Sequence, residues 1–163
     1  METTRSNTTL VRNDSDLLTV VFDEVVCMIL RGDVTEDLLD KFIVDIRKIR
    51  DMLPGEYAVF TVLETDRVPP SEQTRSRLLE MVKKRPSRSR CIATVIQNDG
   101  FRATITRAVL TELDMAYKSS DRKVFTEIIP AALWVAEMLG RDDAWSNRFA
   151  EHIEAHKKIM TTD

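Results

Sequence analysis

The chain of 163 residues holds only four glycines, two cysteines and two histidines, and each scarcity closes a class of function. Four dispersed glycines leave no glycine-rich loop to cradle a phosphate, which argues against nucleotide-loop enzymes. The two cysteines, Cys27 and Cys91, lie inside the apolar runs VVCMIL and CIATVI. That is the setting of reduced core thiols, not of a disulfide framework or a metal pair, and it predicts a cytoplasmic compartment. No uninterrupted apolar run exceeds six residues, far below the roughly 20 needed to cross a bilayer, so no membrane association is expected. The opening METTRSNTTLVRND has no apolar segment of the signal-peptide kind and reads as a mobile arm over residues 1–14.

What is present is ordinary globular material: 43% hydrophobic and 31% charged residues, with a net charge of −3. A chain of this length buries enough surface to need no covalent staple. The charge is unevenly distributed. Between Arg67 and Arg107 ten basic residues stand against three acidic ones, so this segment carries +7 and the remainder −10. A local field of that kind steers an acidic partner more effectively than net charge does.

Hydrophobic patterning predicts alternating strands and helices. Leu17 to Phe22 and Val25 to Leu30 are β-branched runs separated by Asp23-Glu24, a hairpin. Thr35 stands at an N-cap position with Glu36 and Asp37 behind it, and Leu38, Phe42, Ile46, Ile49 and Leu53 recur at helical spacing until Pro54-Gly55. Tyr57 to Leu63 is apolar on both faces, as a central strand of a parallel sheet tends to be. Ser71 caps a second, basic helix; Cys91 to Ile96 is a fourth strand; Phe101 to Met115 has the period of a third helix. Lys123 to Ile128 reads as a fifth strand, Pro130 as a first helical residue, and Gly140 as a helix stop. Ala144 to Met160 carries Trp145, Phe149, His152, Ile153 and His156 on one stripe, an added amphipathic helix. The expected fold is α/β, in the order β-β-α-β-α-β-α-β-α plus that helix, on a mostly parallel five-stranded sheet opened by an antiparallel hairpin. The α/β domain spans residues 15–142, and the final helix and tail 143–163.

The hairpin LLTVVFDEVVCMIL, the step Gly32-Asp33-Val34-Thr35, the strand YAVFTVLET with the loop into PPSEQTR, and the ending RKVFTEIIPAALWVAEML are together similar to the STAS (SpoIIAA-like) fold family, the anti-sigma-factor antagonist type of bacterial domain. The resemblance covers residues 15 to 140 and rests on patterns of apolarity. It implies a non-enzymatic protein-interaction module in bacterial signalling, without cofactor. In regulatory members the phosphorylated serine begins the second helix, and the matching residue here is Ser71. The surrounding Val68-Pro69-Pro70-Ser71-Glu72 lacks the Asp and Gly of the family pattern, and Glu72 would repel an incoming phosphate. Ser71 is also well explained as a plain helix cap.

Open parallel sheets bind outside the carboxyl ends of their strands. The candidate partner surface there combines Glu64, Thr65, Asp66 and Arg67, the helix residues Arg75 and Arg77, and Asn98, Asp99 and Phe101. The partner expected is a protein, acidic in character. A hydrolase or cation site on the same acidic edge would need a nucleophile–base pair or complete ligand set that the sequence does not supply. The tract Lys83 to Arg90 is basic, but it has no interleaved aromatic residues and the overall pI is near 5.5, so nucleic acid is not the expected partner. Trp145, Phe149, His152 and His156 are candidates for packing on the domain or for a homodimer interface. A further alternative is a small-ligand or lipid-like pocket beneath the last helix, lined by Trp145, Phe149 and Met160. The pair His152 and His156 at i, i+4 lacks a third ligand and the zinc-motif acid, so no metal is expected from the motif.

Overall fold

A computed structural model describes residues 7–64, 70–83, 89–97, 104, 107, 108, 111 and 121–159. The apolar runs become strands: β1 (Thr8–Asn13), β2 (Leu17–Phe22), β3 (Val25–Leu30), β4 (Tyr57–Leu63), β5 (Ser89–Ile96) and β6 (Asp121–Phe125). Among the described residues the helices with defined bounds are α1 (Glu36–Met52), α2 (Glu72–Lys83), α3 (Ile128–Leu139) and α4 (Asp143–Lys157). Thr104, Arg107, Ala108 and Thr111, within the stretch expected as another helix, are helical.

The sheet has six strands in sequential order, not five. β1–β2 and β2–β3 are antiparallel and β3–β4, β4–β5 and β5–β6 parallel. The additional strand, Thr8–Asn13, falls in the segment expected to be an arm. Its sequence TTLVRN is too polar to announce a strand, and its outer residues Thr8, Thr9 and Leu10 are exposed. Tertiary contacts hold it: Arg12 reaches across to α1, and Asp23 N–H donates to the Asn7 carbonyl at 2.8 Å. β6 also lies two residues earlier than its sequence suggests, and α3 starts at Ile128, so Pro130 is its third residue. Pro is tolerated there because the first four helical N–H groups have no partner within the helix.

Side-chain alternation divides the core in two. On one face Val21, Val26, Met28 and Val59 pack with Leu38 and Ile49 of α1. On the other, Val20, Phe22, Cys27, Phe60, Ala93 and Val95 pack with Ala132 and Val135 of α3 and Trp145, Phe149 and Ile153 of α4. β2 and β3 are buried along their whole length, which explains why Thr19 is the sole polar side chain in them. The two-residue hairpin turn requires φ 49° at Asp23, a left-handed conformation that Asp tolerates better than most residues. α4 and the link before it then fix that turn, since Trp145 Nε1 donates to Asp23 Oδ2 at 2.9 Å and Arg141, in the link, meets Glu24 through both oxygens at 2.7 and 2.8 Å.

Candidate functional site

The carboxyl ends of β3, β4 and β5 lie side by side, with Leu30, Leu63 and Ile96 in register. Glu64 follows directly and is tied down by its backbone N–H, which donates to the Leu30 carbonyl at 3.2 Å. α2 starts beside this edge. Thr74 N–H donates to Ser71 Oγ at 3.2 Å, and the hydroxyl donates onward to Thr74 Oγ1 at 2.9 Å. Ser71 is therefore the N-cap of α2, and it is exposed. Arg77, one and a half turns along, donates to the Asp40 carboxylate and to the Glu36 carbonyl at 3.2 Å. The Asp40 bond is also the main reason the Arg77 guanidinium holds its proton still more firmly than usual. Arg77 thus joins α2 to α1, while Arg75 is half-buried on α2 itself. Thr65, Asp66, Arg67, Asn98, Asp99 and Phe101 lie outside the described residues.

Beside this edge stands a charge network that the sequence reading missed. Asp45 is wholly buried in α1. Its oxygens accept from Arg12 Nε at 2.9 and 3.1 Å and from Thr19 Oγ1 at 2.9 Å. Arg12 also meets Asp14 at 2.6 Å, and Lys41 meets Asp16 at 2.8 Å and Asp14 at 3.3 Å. The bond to Arg12 is the largest influence holding the Asp14 carboxyl below its ordinary range, with Lys41 adding to it. Arg31 extends the network to Asn13 at 2.8 Å and to the Ile159 carbonyl, just past α4, at 2.6 Å. The signal available in the sequence was a carboxylate at position 45, inside the apolar stripe of α1. Its partner, 33 residues away in a polar strand, could not be named from the sequence.

The apolar members of the last helix pack inward. Phe149 is fully buried, 5.1 Å from the Phe60 ring in a T-shaped contact, and stacks on Trp145 at 5.2 Å. These rings fill the space between α4 and the sheet and join the core cluster. His152 and His156 follow on the same helix with ring centroids 3.9 Å apart. His152 also lies 4.9 Å from the Phe22 ring. Burial, reinforced by His156, pushes the His152 imidazole down to about 4. Its Nε2 is enclosed and has no hydrogen-bond partner among the described residues. Burial likewise raises both core thiols, Cys91 to about 11 and Cys27 further, which makes them poor nucleophiles.

Among the described residues, no helix is long and apolar enough to cross a membrane, and no group of three or more His, Cys, Asp or Glu side chains is placed to hold a metal ion. No family model, no curated protein and no solved structure matches the chain.

Proposed function

We propose that the chain is a non-enzymatic protein-interaction module of the STAS-like kind, serving bacterial regulation in the cytoplasm. Its contact surface would be α2 together with the loops at the carboxyl ends of the parallel strands. The observation that supports this most is the way α2 is held. Ser71 caps its start, and Arg77 ties its middle to α1. Between these fixed points Glu72, Gln73 and Ser76 are exposed. An exposed helix already fixed in place loses little freedom on docking, which favours recognition.

Ser71 gives this surface a means of control. A phosphate there would sit at the positive end of α2, where backbone N–H groups and the helix dipole favour it, next to the opposing charge of Glu72. The test is affinity capture from the native cytoplasm with the wild type, Ser71→Asp and Arg75→Glu. A protein recovered by the wild type and several-fold less by Arg75→Glu supports the surface. A change in its recovery with Ser71→Asp supports the switch. Equal recovery by all three variants removes both.

A further inference from the structure

We propose that the chain joins a second copy of itself through the free edge of β6, making one continuous sheet across a two-fold axis. β6 ends the sheet, and among the described residues no strand pairs with its outer edge. The outward N–H and C=O groups of such an edge are a template for another strand. The helix above it also lacks a cover. α3 carries one charged residue, Glu137, in twelve, and a helix apolar on nearly every side is built to be buried. Its flank toward β6 is apolar and only half covered. Trp134 leans onto Phe125 with ring centroids 5.8 Å apart, Met138 follows one turn later, and all three are half-buried. Strand edge and apolar flank lie side by side, and one occupant must satisfy both.

A second copy does so by symmetry, offering the same strand and the same flank in return. α3 rests over β5 and β6. With neighbouring strands about 4.8 Å apart, a two-fold axis beside β6 sets the two α3 helices about 10 Å apart, an ordinary packing distance. Trp134 and Met138 of both copies then close over the joint. The other edge of the sheet differs in kind, since β1 exposes Thr8 and Thr9 beside Leu10.

Charge selects the register. Antiparallel pairing about Asp121, Arg122 or Lys123 sets like charges opposite each other, which is unfavourable. Pairing about Phe125 runs the strand into the bend at Thr126 and Glu127. Pairing about Val124 avoids both. Val124, 37% exposed, then faces its own counterpart, and Lys123 lies opposite the other copy's Phe125, repeating the contact it makes at 5.5 Å within its own strand. A lysine in an edge strand deters foreign strands, so the residue that admits this copy discourages others. The joint also leaves α2 open, because Arg77 ties α2 to α1 on the opposite side of the sheet.

Sedimentation equilibrium of the full chain from about 1 to about 500 µM tests the joint, a range that brackets the micromolar dissociation expected of a short ladder with two apolar flanks. The wild type should pass from the 18.7 kDa monomer to a dimer across it. Val124→Asp, which sets two carboxylates on the axis, should weaken the dimer at least tenfold. Ile129→Glu, exposed on another side of α3, should leave it unchanged. On mild oxidation Val124→Cys should form a covalent dimer at least tenfold faster than Lys123→Cys or Leu10→Cys, because only the residue on the axis meets its own counterpart at the roughly 5 Å a disulfide requires. Cys27 and Cys91 are buried and do not compete. The cross-linking comparison decides the matter should Val124→Asp fail to fold. A monomer at every concentration would overturn the proposal and leave the edge to a different protein. A dimer lost in Ile129→Glu but kept in Val124→Asp, or cross-linking as fast from position 10 or 123 as from 124, would overturn it equally.

Discussion

Asp45 is the one carboxylate among the described residues that is wholly buried. Arg12 and Thr19 supply it with hydrogen bonds from two strands. Removing one partner of such a pair leaves a charge without compensation, which costs about 3–5 kcal/mol, whereas replacing both with apolar groups is often close to neutral. Arg12→Met should therefore lower stability to urea strongly, while Arg12→Met combined with Asp45→Leu should recover most of the loss. A double variant as unstable as the single one would mean that the pair contributes more than its own neutralisation. This residue also marks the limit of sequence reading. Leu38, Leu39 and Ile49 were legible as core from their spacing, because burial of an apolar side chain needs only a face. Burial of a carboxylate needs a named partner, and Arg12 sits in a segment whose polarity reads as unstructured.

Among the elements, those that carry their own instructions were legible and those made by tertiary contact were not. β2, β3 and β4 follow from runs that are apolar on both faces, α1 from its stripe and its Thr35 cap, and the end of α3 from Gly140 at φ 68°. β1 was missed, and the start of β6 was misplaced, because both are edge strands with polar, exposed residues. At the site, Ser71 was legible as a cap because capping is local, and Arg77 was not legible as a tie between helices because Asp40 lies 37 residues away. The last helix shows how unequal an amphipathic element is in its energetics. Phe149 is wholly buried between Phe60 and Trp145, whereas Leu133 on neighbouring α3 is 43% exposed. Phe149→Ala should cost about 3–5 kcal/mol, a large share of the roughly 5–15 kcal/mol that holds an ordinary domain together. Leu133→Ala should cost well under half of that. Thermal unfolding followed by circular dichroism distinguishes the two, and equal losses would show that α4 is not an integral layer of the core.

At the scale of the whole molecule, the fold separates stability from charge. The two apolar layers flank the sheet, while the excess of basic residues falls in one stretch of sequence, from Arg67 to Arg107, against a remainder of opposite sign. Arg77 is committed to Asp40 and belongs to the framework, so the charge available to a partner is smaller than the composition suggests. A field of this kind acts chiefly on encounter. It raises the association rate with an acidic partner and is screened over about 8 Å at physiological ionic strength. For the partner recovered by capture, raising the salt from about 0.05 to about 0.5 M should slow association by tenfold or more and change dissociation little, the signature of electrostatic steering. Arg75→Glu should slow association in the same way at low salt and converge on the wild type at high salt. An association rate indifferent to salt would place the contact on the exposed polar residues of α2, Gln73 and Ser76, and leave the uneven charge without a part in recognition.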